Sequence, residues 1–292
     1  MCTDHQRAAG QRFAPTISSI PLTRIVRPAR WSRRDVFVNL GLGTAGLAVL
    51  SACGSDASTT TPVGSADPAQ RVTPSPSADE STSSTDPTAT DPAASADDVL
   101  RLEHVSLGFV SAYVLVRGSE VAVVDTGVSG SGEAIFEAIV GVGLTPADIG
   151  HIVLTHNHGD HVGSLGELEA EAPNARAYAG AGDVDTIRTS LQLDQVTDGD
   201  EVFGLGIVAT PGHTPGSISV FDTDTGLLVA GDAINGDRAG GITGANPDFT
   251  PDMDTARSSI AKLAQLEVRV AAFGHGGPPV TEAAKAKLGA LV

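Results

Sequence analysis

VLTHNHGDHVG occupies residues 153–163. It sets His156, His158, Asp160 and His161 within six consecutive positions of a chain with eight histidines in all. The apolar run HIVLTH leads in and glycines follow, so a short strand ends where the ligand-type side chains begin. Imidazole nitrogen and carboxylate oxygen are borderline donors that suit zinc or iron(II). In extended chain, residues two apart share a side. That predicts that His156, His158 and Asp160 converge and that His161 projects differently.

Two metals need more ligands than these four, and the missing ones are expected where other strands end. TPGHTPG (210–216) supplies His213, LVAGDA (228–233) supplies Asp232, and AAFGHGG (271–277) supplies His275. Each stands beside a glycine. Of the other histidines, His5 lies in a basic head, and His104 and His151 sit in strand-like runs without ligand companions. Taken singly, His213 reads as a hydrogen-bonded core or turn histidine and Asp232 as a turn or cap aspartate. Taken together, a dense motif with three strand-end partners reads as a metal centre.

Around these sites, residues 109–127 read as two strands about a Gly118-Ser119 turn. Apolar residues at Ile135, Phe136, Ile139 and Val140 predict a helix over 131–143. Short strands are expected at 151–156, 206–212, 217–223, 226–232 and 269–275, and helices at 253–266 and 281–292. Strands in runs with helices interspersed predict an α/β (α+β) fold of sheets inside helical layers, not a doubly wound parallel sheet.

The rest of the chain has a different character. Its 292 residues carry a net charge of -17, which excludes nucleic acid as a natural partner. Hydrophobic content of 41% allows a core, and aromatic content of 4% leaves Val, Ile, Leu and Ala to build it. Seven of the 18 basic residues fall at or before Arg34. Residues 36–53 are uncharged, moderately apolar and short for a permanent membrane helix. Residues 1–53 therefore read as an export signal. Within them SRRDVF (32–37) resembles a twin-arginine export signal, with Val36-Phe37 in place of the usual Phe-Leu. LSAC (50–53), followed by Gly54, looks like a bacterial lipobox, which implies a lipid on Cys53; the alternative is an incidental small apolar residue. Residues 54–98 are Ser, Thr, Pro, Ala and Asp with almost nothing larger to bury, and read as a disordered tether. The expected product is an extracytoplasmic domain, residues 99–292, anchored to the cell membrane by the lipid.

His-x-His-x-Asp-His, then His213, Asp232 and His275 at strand ends, resembles the metallo-β-lactamase superfamily. VVDTG (123–127) matches the Asp-Thr-Gly found early in that fold, and the resemblance runs from about residue 100 to the C-terminus. It implies a four-layer αββα sandwich with the site at one edge of the two sheets. It also implies that His156, His158 and His213 hold one Zn2+, that Asp160, His161 and His275 hold a second, and that Asp232 bridges them. Asp125 would support the site by hydrogen bonding; the bland reading is a turn aspartate. The implied chemistry is a hydroxide shared by the metals attacking a carbonyl carbon, with Asp160 helping to orient it.

The small-molecule substrate is less legible. β-Lactamases of the superfamily usually carry Cys or Ser at the position of Asp232. The bridging aspartate resembles the glyoxalase II, lactonase and general-hydrolase branches. The glutathione-binding helical domain of glyoxalase II has no counterpart in the short stretch after His275. The tyrosine that lactonases place three residues after the bridging aspartate is here Asn235. The resulting expectation is an ester, thioester or lactone hydrolase. The alternatives are a β-lactam hydrolase, a persulfide dioxygenase with one Fe2+ on His156, His213 and Asp232, and a non-catalytic binding module. Phe109 and Tyr113 lie in the first hairpin, which in the superfamily can border the site, and the preferred reading is core or ordinary surface packing; Arg238, in a Gly-rich loop, could bind a substrate carboxylate, and the preferred reading is a solvated surface residue.

Overall fold

The computed structural model describes residues 14–22 and 99–292. His5, the Arg33-Arg34 pair, Cys53 and the expected tether lie outside the described residues. A seven-stranded sheet runs in chain order: β1 (Thr16–Ile20), β2 (Arg101–Ser106), β3 (Ser111–Arg117), β4 (Glu120–Val124), β5 (Ile149–Leu154), β6 (Arg176–Gly180) and β7 (Gln192–Val196). Pairing is antiparallel as far as β4 and parallel from there to β7. A five-stranded sheet is built from β8 (Glu201–Val202), β9 (Leu205–Ala209), β10 (Ile218–Asp222), β11 (Leu227–Val229) and β14 (Val270–Ala272). A small hairpin, β12 (Ile234–Gly236) with β13 (Ile242–Gly244), follows β11.

Strand alternation sorts the core into three parts. Along β3, Ala112, Val114 and Val116 face one way, while Tyr113 and Leu115 face the other. The first set, with Val121 and Val123, packs on Ile135, Ala138 and Ile139 of α1 (Gly132–Gly141). Leu165 and Leu168 of α3 (Leu165–Glu171) complete that layer; α2 (Gly159–Val162) precedes it. The second set meets Leu205, Ile207, Ile218, Val220 and Val229 of the five-stranded sheet. That sheet's outer face, with Val208, Phe221, Leu228 and Ala271, packs on Ile260 and Leu263 of α4 (Met253–Leu263). Ala284 and Leu288 of α5 (Ala284–Gly289) join it. The central strands are buried on both faces, which explains their continuous apolar runs. This is the expected four-layer αββα sandwich.

Several elements differ from expectation. The helix expected over 281–292 is confined to α5, because Ala283 sits at φ 52° and cannot continue a right-handed helix backwards. The Gly-rich loop after Asp232 contains the β12–β13 hairpin. Thr16–Ile20, within the stretch read as an export signal, is an edge strand paired with β2.

Candidate metal centre

The candidate ligands lie on the segments that follow four strand ends, those of β5, β9, β11 and β14. β5 ends at Leu154, and Thr155 hands the chain to His156. The extended chain then stops: His158 is the residue before α2, and one helical turn carries Asp160 and His161. This corrects the expected geometry. Helix, not strand, brings Asp160 and His161 to the centre, and His161 is completely buried within it. His213 comes from the β9–β10 loop, Asp232 from the end of β11, and His275 from the turn after β14. Gly274 has to lack a side chain, since a Cβ there would stand 2.2 Å from Asp232 Oδ1 and 2.6 Å from His161 Cε1.

Three sets of potential ligand atoms lie within 4.8 Å of one another: His156, His158, His213; His156, His161, Asp232; and Asp160, His161, His275. Asp232 stands between the first and the last. Its Oδ2 is 3.4 Å from His213 Nε2 and 3.3 Å from His275 Nε2, and its Oδ1 is 3.3 Å from His161 Nε2. Asp160 Oδ2 lies 3.3 Å from His275 Nε2.

These contacts fit a cation. His161 Nδ1 donates to Asp125 Oδ2 at 2.8 Å, and His275 Nδ1 donates to the Phe109 carbonyl at 2.7 Å. In the neutral rings, both Nε2 atoms then carry lone pairs, and they face each other at 3.2 Å. His213 Nε2 stands 3.2 Å from His156 Nε2 and 2.9 Å from His158 Nδ1. Asp232 Oδ1 is buried and accepts no hydrogen bond. Converging lone pairs and an orphaned carboxylate oxygen are what a divalent ion would satisfy.

The electrostatics agree. Burial, reinforced by the other imidazoles, pushes His156 well below the ordinary histidine value. Burial also lowers His213. Burial alone would lower His161, but Asp125, then Asp232 and Asp160, outweigh it and raise that ring. Burial likewise opposes Asp160 and Asp232 at His275, and the carboxylates prevail, carrying it up to about 10. The hydrogen bond from His275 holds Asp160 at about 2. Without metal, the carboxylates keep protons where a cation would balance them.

Asp125 sits at φ 60°, a left-handed conformation at the end of β4. Its carboxylate accepts from Thr155 N and Thr155 Oγ1, both at 2.7 Å, as well as from His161. It therefore fixes the strand end leading to His156 and the tautomer of His161 at once. Phe109 is 61% exposed and lies flat over the His275 ring, centroids 5.9 Å apart, so neither core nor plain surface packing describes it. Tyr113 is a core residue whose hydroxyl donates to the Phe273 carbonyl at 2.7 Å. Arg238 is exposed. The sequence reading passed over Asp183, a buried carboxylate beside the three-histidine group. The signal was there: it follows β6 and sits beside glycine, as the ligands do.

The metallo-beta-lactamase superfamily profile matches residues 105–275, over half of the chain. The probable metallo-hydrolase YqgX of Bacillus subtilis (strain 168) is 32% identical over 187 residues, 57% of this chain and 84% of YqgX. A hydroxyacylglutathione hydrolase of Erwinia tasmaniensis is 43% identical over 87 residues, 28% of this chain and 32% of that enzyme. The crystal structure of the metallo-beta-lactamase SMB-1 in complex with mercaptoacetic acid superposes with a TM-score of 0.50 at 24% identity, over 60% of this chain and 76% of that one. The superfamily profile spans most of the strands and all of the candidate ligands, and the chain belongs to the metallo-β-lactamase superfamily.

Proposed function

We propose that this protein is a dinuclear zinc hydrolase that cleaves an ester, thioester or lactone carbonyl in a small-molecule substrate. The observation that carries this reading is Asp232, whose two oxygens reach toward His213 on one side and His161 and His275 on the other. A carboxylate so placed is suited to two cations, with His156, His158 and His213 holding one and Asp160, His161 and His275 the other. When bound, such a pair supplies Lewis acidity and a water activated near neutral pH. The chain's own part is to hold that geometry. Asp125 orients His161, the Phe109 carbonyl orients His275, and the exposed Phe109 ring offers apolar surface beside them. Asp160, partly exposed and held ionised by its neighbours, is placed to accept a proton from an attacking water. The relatives named hydrolases support the reaction class. The aspartate at position 232 favours esters and thioesters over β-lactams.

Metal content of the protein purified without chelator tests this first, and about two zinc per chain is expected. Chelation should abolish turnover on a panel of esters, thioesters and lactones, and zinc should restore it. Asp232→Ala should lose metal and lower turnover more than about 100-fold with the fold intact; full activity in that variant would refute the bridging role. About one iron per chain, with oxygen uptake on thiol persulfides, would replace the reading by the dioxygenase.

The location is part of the proposal. An export signal over residues 1–53, a lipid on Cys53 and a tether over 54–98 would hold the domain outside the cell membrane. The basic head, the uncharged run and the LSAC motif support it. Cys53→Ser should release the exported protein from the membrane fraction, and unchanged membrane retention would count against the anchor.

A further inference from the structure

The geometry assigns Asp183 as the positioning residue of the three-histidine group, a clasp that joins the two loops from which those histidines come. His156 and His158 lie on the loop after β5, and His213 lies on the loop between β9 and β10 in the other sheet. Asp183 belongs to neither loop; it follows β6 and is fully buried. Its Oδ2 accepts from the backbone N–H of Asn157 at 3.0 Å and from the Thr214 hydroxyl at 2.6 Å. Its Oδ1 accepts from the N–H of Gly216 at 2.9 Å. Asn157 is the residue between His156 and His158, and Thr214 directly follows His213. One carboxylate oxygen thus holds both ligand loops next to their histidines.

The surroundings are built for this contact. A Cβ on Gly216 would stand 2.3 Å from Asp183 N and 2.6 Å from Asp183 Cγ. A Cβ on Gly180 would stand 2.0 Å from the Gly216 carbonyl, and one on Gly182 would stand 2.6 Å from Gly216 N. Small residues on both segments let the backbones close in until the carboxylate reaches both loops. The far side is tied as well. The Asn157 side chain donates to Thr186 Oγ1 at 2.8 Å, and that hydroxyl donates to the Asp183 carbonyl at 2.7 Å. All three donors to the carboxylate are neutral groups, and the carboxylate lies one layer behind the three histidines, where a bound cation would complement it. Hydrogen bonds that fix the orientation of ligands govern metal affinity in this way.

The inference rests on the metal-centre reading above, but its test reads metal affinity and not turnover, so absence of hydrolysis would leave it standing. The full chain carrying Asp183→Asn is titrated with zinc against a chromophoric chelator in two backgrounds. His275→Ala leaves the three-histidine group, and His158→Ala leaves the Asp160, His161, His275 group. Affinity should fall about 10- to 100-fold in the first background and by less than about threefold in the second. Asp222→Asn serves as comparator. Asp222 is equally buried and accepts from Thr225 N, Thr225 Oγ1 and Arg117, away from the centre, so its loss should leave zinc affinity unchanged. Equal losses in both backgrounds, or none in either, would overturn the assignment. If Asp183→Asn does not fold, Thr214→Val decides. It keeps the shape, removes one donor, and should weaken the three-histidine site alone by about three- to tenfold; no selective change would overturn the assignment.

Discussion

Residues that look alike in the sequence behave differently once their surroundings are known. Five histidines converge on one centre, yet burial lowers His156 while carboxylates raise His275. His104 shows burial acting without such partners. It is stacked on Tyr113, bonded to Ser111 Oγ at 2.9 Å, and lowered by burial from 6.5 to about 4. A histidine depressed in the folded state favours the fold only while neutral. That contribution is complete above pH 6.5, lost as pH falls toward 4, and constant below. It amounts to about 3 kcal/mol. His104→Gln should be less stable at pH 7 through lost stacking, but should lose less stability than the parent between pH 6.5 and 4. Urea unfolding of both proteins at pH 7 and pH 4.5 measures the difference, and parallel losses would show that His104 does not contribute.

Among the elements, β1 is the one whose existence the sequence reading did not anticipate. TISSI offers three β-formers, Thr16, Ile17 and Ile20, and among the described residues β2 offers an otherwise open edge of N–H and C=O groups. The register runs from Thr16 opposite Ser106 to Ile20 opposite Leu102, and Ser19 Oγ donates to Glu103 Oε2 at 2.6 Å. Most of β1 is exposed; Ile20 and Leu22 alone pack partly on the core between the sheets. Removing residues 1–22 should therefore cost about 1–2 kcal/mol and lower the melting temperature by about 2–8 °C, with metal affinity unchanged. A tenfold loss of affinity would show that β1 reaches the site. Removal of residues 1–52 at the lipobox would take β1 as well, so a small cost is what the export proposal requires.

At the scale of the whole molecule, the site exists because two sheets are held in one relative position. Tyr113, on β3 of the first sheet, is completely buried among side chains of both. Its hydroxyl donates to the Phe273 carbonyl at 2.7 Å and accepts from Phe273 N at 3.0 Å, just past β14 of the second sheet. Arg117 and Asp222 pair at 2.8 Å at the opposite ends of β3 and β10, away from the metal centre, so that contact serves stability and not the site. Phe273 is two residues from His275. Tyr113→Phe leaves a buried donor and acceptor unpaired, which should cost about 1–3 kcal/mol. It should also weaken the Asp160, His161, His275 site more than the three-histidine site. Chemical denaturation and zinc titration test both effects; equal weakening of the two sites would separate the sheet clasp from the metal centre.

The sequence by itself determined the layers and the ligand inventory, because both are written in local signals. Runs of β-branched and aromatic residues about the Gly118-Ser119 turn, period-3.6 spacing in α1, and a histidine or aspartate beside glycine at each strand end need no distant partner to be read. Tertiary structure alone decided how those residues are shared out. One turn of α2 brings His161, which extended chain would project differently from its neighbours, into two candidate ligand sets, and Asp232 is centred only by the meeting of the two sheets. The same holds for Asp183, whose partners lie 26 to 33 positions away, and for β1, whose partner strand is more than 80 positions along. Periodicity records which face a side chain takes. Distances between remote loops depend on how the sheets stack, and no local pattern carries them.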